Sequence, residues 1–162
     1  MTWLFVAITI TVLLFGMVVL FGAPYLPTLR AQSIEALDLL DLEPGQTLLE
    51  LGSGDGRILR EAAKRGIYSI GYELNPLLVV WSMYSSLKYR RYITIRWGNY
   101  WRHKLPATDG IYVFLLDRYM PKLNNKIEQD ISGNVKLVSF AFAIPGKKPA
   151  KESNGLKLYH YK

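Results

Sequence analysis

A glycine-rich segment strongly limits what this chain can fold into. Residues 50–56 read Glu-Leu-Gly-Ser-Gly-Asp-Gly; the apolar run 47–49 before them is typical of a strand, and residues 57–65 after them are typical of a helix. Glycine has no Cβ, so such a turn can adopt positive φ and let its backbone approach a ligand closely. The following helix directs free N–H groups to the same place. The segment therefore predicts a turn that binds a nucleoside-like cofactor.

The rest of the chain after residue 46 alternates between two hydrophobic patterns. Apolar runs typical of strands lie at 47–51, 68–72, 92–97, 110–116, 135–144 and 156–161. Helical patterns lie between them at 57–65, 76–89 and 121–131. This alternation predicts an α/β fold, a Rossmann-like and mainly parallel sheet with helices on both faces. Ligands of such sheets bind beyond the carboxyl ends of the strands, where the glycine turn lies.

The N-terminus carries a second strong signal. Residues 3–22 contain no charge and no proline, and 20 helical residues span about 30 Å, the thickness of a bilayer's hydrocarbon core. They predict a transmembrane anchor over 1–23; a cleaved signal peptide, the alternative, should begin with basic residues. Every basic residue follows the span, which predicts a single-pass membrane protein with its domain in the cytoplasm. An extended Pro-Tyr segment with a helix (24–45) then leads to the domain proper (46–162).

Composition excludes several kinds of chemistry. The chain has no cysteine and two histidines, which rules out thiolate catalysis, disulfides and zinc-thiolate sites and leaves too few histidines for a histidine metal site. Its net charge of +7 favours anionic partners without selecting among them. The segment Lys88–Tyr92 mixes basic and aromatic residues, as nucleic-acid surfaces do, but a contact with lipid headgroups explains it equally. Nucleic acid is therefore not the partner we expect.

Two carboxylates identify the cofactor more closely. Glu73 follows the second predicted strand about 20 residues after the glycine turn, where an acidic side chain can accept hydrogen bonds from a ribose diol. Glu50 ends the first strand, beside the glycines. A carboxylate there repels a pyrophosphate but attracts an ammonium or sulfonium group. The pair favours S-adenosyl-L-methionine over a dinucleotide.

These segments together resemble the first two motifs of class I S-adenosylmethionine-dependent methyltransferases. The resemblance rests on Leu49–Arg57 and Gly71–Pro76. It implies that Glu50 lies near the amino group of the methionine moiety. It further implies a backbone cradle at Gly52, Ser53, Gly54 and Gly56 and a ribose contact at Glu73, with Leu74 and Asn75 also binding the cofactor. Asn99 matches the position that contacts the adenine amino group, although this superfamily often has an acidic residue there.

A narrower resemblance covers most of the chain. It is similar to the membrane-anchored protein-lysine methyltransferases of the mitochondrial ATP synthase c-subunit and adenine nucleotide translocase family. The matching segments are Pro24–Thr28, Glu50–Arg57, Gly71–Pro76, Phe114–Leu123 and Ser139–Pro145. The resemblance implies methylation of a lysine on a protein at or near the membrane, with the Pro-Tyr segment and the loop after the fourth strand closing over the cofactor through Tyr25, Thr28 and Leu116. Without a transit peptide, the chain is interpreted as a prokaryotic relative at the inner membrane.

Lysine methylation sets a chemical requirement. A lysine has a pKa near 10.4, so removing its proton at pH 7 costs about 4.6 kcal/mol. Burial near a sulfonium lowers that pKa, and alignment of the amine supplies the rest. Asp117 is the candidate that orients the amine or takes its proton, and Tyr119 and Tyr25 are candidate walls of the channel. An ordinary helix cap explains Asp117 equally well, and packing explains the tyrosines.

Two other functions fit the same site. The acceptor is a lipid or small molecule if an apolar cleft opens beside the cofactor. The chain is a membrane-tethered S-adenosylmethionine-binding module if it has lost catalysis. The site residues alone do not choose among these three functions.

Overall fold

The computed structural model describes residues 1–6, 8, 9, 12, 16 and 30–162. Seven strands lie within 30–162: β1 Thr47–Leu51, β2 Tyr68–Glu73, β3 Ile93–Trp97, β4 Gly110–Val113, β5 Val135–Phe140, β6 Lys151–Ser153 and β7 Leu156–Tyr161. Four α-helices accompany them: α1 Arg30–Leu40, α2 Arg57–Lys64, α3 Pro76–Ser85 and α4 Met120–Asp130. Three short 3₁₀ helices lie at Leu87–Tyr89, Tyr100–Arg102 and Asp117–Tyr119.

The strands form one sheet in the order β3-β2-β1-β4-β5-β7-β6. Strands β1 to β5 pair in parallel, and β7 pairs antiparallel with both β5 and β6. The predicted Rossmann-like, mainly parallel sheet is confirmed. The order reverses between β1 and β4, so the loop after β1 lies at the switch point where such sheets bind ligands.

Both faces of the sheet are buried. On one face, Leu49 and Leu51 of β1 pack in a core that includes Leu123 of α4. On the other face, Leu48 packs in a second core with Ile58 of α2. Since neighbouring residues of a strand point to opposite faces, a strand buried on both sides needs a continuous apolar sequence. This explains the apolar runs from which the strands were predicted.

The structure differs from the prediction where strands end. The run 135–144 was predicted as one strand, but β5 ends at Phe140 because Ala141 adopts a left-handed φ of +68°. Strand β4 ends at Val113, three residues before the predicted end, and the chain then leaves the sheet. The short strand β6 was not predicted; it pairs with β7 through a turn at Asn154 and Gly155, which have φ of +46° and +82°. Asn-Gly is the usual sequence of such hairpin turns.

The predicted single-pass membrane location is wrong. Among the described residues no helix is both long and apolar enough to cross a membrane. Helices α1 and α4, each of 11 residues, measure roughly 16 Å, about half of a bilayer's hydrocarbon core. Most of the predicted anchor, residues 1–23, and the Pro-Tyr segment before Arg30 lie outside the described residues.

Gly71→Ala should destabilise the protein. A Cβ at Gly71 would lie 2.6 Å from Leu59 Cδ1 and 2.7 Å from Ser53 Oγ, because the glycine turn and α2 pack directly on β2. Such overpacking costs about 1–3 kcal/mol. Urea unfolding measures the loss. Ser69→Ala, on the same strand, removes a buried hydroxyl that has no hydrogen-bond partner in the described chain and should not lower stability. Equal midpoints for Gly71→Ala and the wild type would contradict this packing.

Candidate cofactor site and acceptor loop

The glycine turn folds back on the end of β2. Gly52, Gly54 and Gly56 have φ of +89°, +53° and +76°, in the left-handed region that other residues rarely adopt. The N–H groups of Gly52 and Ser53 both donate to the carbonyl of Tyr72, at 2.9 and 2.8 Å. A Cβ on Gly52 would meet no atom within 4 Å, so the described part of the chain leaves open space in front of the turn.

Glu73 holds this turn in place. Its Oε2 accepts a hydrogen bond from the Gly54 N–H at 2.8 Å, and its Oε1 accepts one from the Asn75 N–H at 2.7 Å. The residue is only 7% exposed. A carboxylate has about four acceptor positions, so two are left over after these bonds. Those two positions suit the hydroxyls of a ribose, the role predicted for Glu73.

Asn75 begins the helix that follows β2. Its Oδ1 accepts from the Leu77 N–H at 3.0 Å and caps α3, whose first residue is Pro76. Its side chain is fully buried, and its Nδ2 makes no hydrogen bond within the described chain. Leu74 is half-buried, and its carbonyl accepts from the Trp97 indole at 3.1 Å. Glu73, Leu74 and Asn75, which were predicted to bind the cofactor, thus form one continuous turn.

Glu50 is a buried carboxylate that forms no salt bridge within the described part of the chain. It is 5% exposed at the end of β1, and its Oε2 has no hydrogen-bond partner among residues 30–162. Burial raises its pKa well above the ordinary value of 4.5, and the nearby Asp55 and Glu73 raise it further, against Arg60 and Arg57. A buried acceptor that lacks a donor is costly unless a ligand supplies one.

The residues at the turn fit S-adenosylmethionine. Open space at Gly52 leaves room for the ligand's backbone contacts, the unpartnered Glu50 Oε2 suits its ammonium group, and Glu73 suits its ribose. The Ser53 hydroxyl is a third buried polar group without a partner in the described part of the chain. A ligand with a cationic amine and a diol satisfies these atoms, whereas a pyrophosphate would meet two carboxylates.

Asn99 has a different partner from the predicted one. Its Oδ1 accepts from the Trp101 N–H at 3.0 Å and caps the 3₁₀ helix that starts at Tyr100. It remains beside the site because Gly98, the residue before it, donates to the Glu73 carbonyl at 3.0 Å. An adenine contact through Asn99 stays a prediction and would have to share the oxygen that forms this cap.

The loop after β4 places the predicted acceptor residues at the same edge of the sheet. Leu116 and Tyr119 are half-buried, and Asp117 is exposed. The residue that precedes helix α4 is Tyr119, so Asp117 is not its N-cap, contrary to the alternative interpretation. Tyr25 and Thr28 lie outside the described residues, and their predicted roles remain predictions.

Sequence reasoning missed an aromatic contact between two loops. The rings of Tyr100 and Trp101 lie 4.7 Å apart, and those of Trp101 and Tyr119 lie 6.1 Å apart. Burial raises the pKa of the Tyr100 hydroxyl, and the nearby Tyr119 and Glu73 raise it further. Gly98, two residues before Tyr100, donates to the Glu73 carbonyl. The aromatic row formed by Tyr100, Trp101 and Tyr119 therefore runs from the loop beside Glu73 to the loop after β4, residues 114–119, which is called the acceptor loop below. Its only signal in the sequence was two adjacent aromatic residues after Asn99.

Comparison with known proteins identifies the family. A family model described as the ANTKMT methyltransferase domain matches residues 50–151, well over half of the chain. The chain belongs to this family. The match begins at Glu50 and includes the glycine turn, Glu73, the aromatic row and the acceptor loop. The predicted relationship to class I methyltransferases of the ATP synthase c-subunit and adenine nucleotide translocase group is confirmed.

Similar proteins extend this result. The chain is 29% identical over 128 residues to the ATP synthase c-subunit lysine N-methyltransferase of Xenopus laevis, covering 78% of the chain and 56% of that protein. It is 31% identical over 135 residues to the adenine nucleotide translocase lysine N-methyltransferase of Mus musculus, again covering 78% and 56%. The chain thus spans little more than half the length of these relatives.

A solved structure supports the fold. A crystal structure described as an RNA methyltransferase from Salinibacter ruber, in complex with S-adenosyl-L-homocysteine, has a TM-score of 0.77 and 25% identity. The match covers 84% of this chain and 92% of that one. S-Adenosylhomocysteine is what S-adenosylmethionine becomes after giving up its methyl group, which agrees with the predicted cofactor.

Glu50→Gln should make the stability of the free protein less dependent on pH. Because burial raises the pKa of Glu50, the folded protein binds a proton there that the unfolded chain releases. This stabilisation is fully present below the ordinary value of 4.5 and is lost as the pH rises through the raised pKa. Urea unfolding from about pH 5 to about pH 8 should show a decline in wild type that the variant lacks.

Glu152→Gln is the control for this series, since Glu152 is an exposed carboxylate of β6. It should keep the pH dependence of the wild type. The same decline in Glu50→Gln as in the wild type would contradict a protonated, buried Glu50.

Proposed function

We propose that this protein is an S-adenosyl-L-methionine-dependent methyltransferase that transfers methyl groups to a lysine of a protein. The observation that supports this cofactor is the pair of carboxylates at the glycine turn, Glu50 and Glu73. The Oε2 of Glu50 is buried without a hydrogen-bond partner within the described chain. Relatives named as lysine N-methyltransferases support a protein lysine as the methyl acceptor.

Each residue at the turn has a defined task in this function. The bound cofactor supplies a methyl group on a positively charged sulfur. The Glu50 carboxylate receives the cofactor's ammonium group, and Glu73 receives the ribose hydroxyls while it keeps Gly54 and Asn75 in place. Gly52, with its left-handed φ, keeps a side chain out of the space in front of the turn.

The acceptor loop supplies the second half of the site. The acceptor lysine must lose its proton before it can attack the methyl group. In water at pH 7 this deprotonation costs about 4.6 kcal/mol. Asp117 is exposed in the loop after β4. Its carboxylate can orient the lysine amine and pass the amine's proton to water. The ring of Tyr119 forms one wall beside it.

RNA is a second candidate acceptor. Residues 76–104 contain six Lys or Arg residues and no Asp or Glu. Along this basic stretch Trp81, Tyr84 and Trp97 expose 56%, 68% and 69% of their surface. Exposed aromatic rings among basic side chains are typical of surfaces that bind single-stranded RNA. The Salinibacter ruber structure, described as an RNA methyltransferase, supports the same candidate.

Methyl labelling distinguishes these acceptors. Purified protein is incubated with S-adenosylmethionine labelled in its methyl group and an extract of host cells, and the products are separated into protein, RNA, lipid and small molecules. The proposed function predicts label in protein, recovered as methyl-lysine after hydrolysis. Label in RNA would favour the second candidate, and label confined to the other fractions would contradict both.

Asp117→Asn should slow transfer to protein by roughly 100-fold, since the variant cannot take a proton. Its affinity for S-adenosylhomocysteine, measured by calorimetry, should stay unchanged because Asp117 belongs to the acceptor loop. Glu128→Gln, an exposed carboxylate on α4, is the matched control and should keep the wild-type rate. An unchanged rate in Asp117→Asn would remove Asp117 from the mechanism.

A further inference from the structure

A lysine of this protein lies on the aromatic row. The Lys122 Nζ is 4.6 Å from the centroid of the Trp101 ring. Two other lysines in this part of the molecule pair with carboxylates, Lys126 with Asp130 at 2.7 Å and Lys147 with Glu128 at 2.9 Å. Lys122 forms no such pair with any described residue. The indole face is the contact that holds its ammonium group.

The position of Lys122 in its helix makes this contact informative. It is the third residue of α4, close to the positive end of the helix dipole, where a cation is disfavoured. Helix stability therefore does not explain a lysine here. The attraction between an ammonium group and the electron-rich face of Trp101 offsets the unfavourable position.

The aromatic row is built as a firm surface for cations. Tyr100 is only 9% exposed, and its ring packs against the Trp101 ring. The backbone N–H of Trp101 donates a hydrogen bond to the Asn99 side chain. A second cation lies on the row, because the Arg118 guanidinium is 4.8 Å from the Tyr119 ring centroid. Indole is the aromatic group that attracts cations most strongly, and alkylated ammonium groups are the ligands such faces recognise.

We infer that the face of Trp101 binds the ammonium group of the acceptor lysine and that Lys122 competes for it. This inference rests on the proposed function and adds a binding site to it. The row begins at Tyr100, two residues after Gly98, whose N–H donates to the Glu73 carbonyl at 3.0 Å, and it ends at Tyr119 in the acceptor loop. An incoming lysine, or the methylated lysine that leaves, displaces Lys122 from the indole.

Choline and its neutral isostere 3,3-dimethylbutan-1-ol test this site without any methyl transfer. Both carry the same methyl groups, and only choline is a cation. In ¹H–¹⁵N spectra of the full chain, choline should shift the indole N–H signal of Trp101, assigned with Trp101→Phe. The neutral isostere should shift it much less. Equal shifts from both ligands, or no shift of this signal, would overturn the inference.

Variants of Lys122 separate competition from simple proximity. Lys122→Gln should tighten choline binding by about two- to fivefold, because the competing cation is gone. Lys122→Arg keeps a cation on the ring and should bind choline as the wild type does. Unchanged or weaker binding in Lys122→Gln would overturn the competition.

Variants of Trp101 test the platform itself. Trp101→Leu should abolish choline binding, and Trp101→Phe should weaken it. Both variants lack the indole signal, so their choline binding is measured by calorimetry, with folding checked by thermal unfolding. Trp81→Leu is the control, because Trp81 is an exposed tryptophan of α3 outside the row. Calorimetry with S-adenosylhomocysteine is run on every variant. Retained cofactor binding without a choline response in the wild type contradicts this inference alone, whereas absent cofactor binding contradicts the proposed function.

Discussion

The Glu73 carboxylate, almost fully buried at the end of β2, accepts backbone hydrogen bonds from Gly54 and Asn75 and so connects the glycine turn to the start of α3. The backbone carbonyl of Glu73 accepts a hydrogen bond from the Gly98 N–H, and this bond fixes the loop after β3. The glycine turn, the start of α3 and the loop after β3 therefore meet at one residue. The two side-chain bonds leave acceptor positions free on the carboxylate, so this residue can hold the turn and still receive a ribose.

Burial of the sheet on both faces explains how much of the fold was predictable. Leu48 and Leu49 belong to opposite cores, so neighbouring positions of β1 both had to be apolar, and this run indicated a buried parallel strand. The end of β5 was not predictable in this way, because the left-handed Ala141 interrupts a run that stays apolar. The polar strand β6 was missed since its pairing with β7, and not its composition, makes it a strand.

The candidate site was predictable where its residues are close in sequence. Glu50, the three glycines and Glu73 lie on two consecutive strand ends, and parallel strands bring such ends together. The row from Trp101 to Tyr119 joins loops that follow β3 and β4, which are separated in the sheet by β2 and β1. No local pattern encodes that contact. The sequence also could not predict that Glu73 binds the backbone of Gly54 and Asn75, because every residue type except proline has the same backbone N–H group.

A crystal structure with S-adenosyl-L-homocysteine tests the central claim most directly, that the turn held by Glu73 is the cofactor site. The account predicts the ligand in front of Gly52, its ammonium group within hydrogen-bond distance of Glu50 Oε2 and its ribose hydroxyls on Glu73. The Gly54 and Asn75 bonds to Glu73 should persist in that complex. A ligand bound elsewhere, or a ribose that does not contact Glu73, would contradict the account.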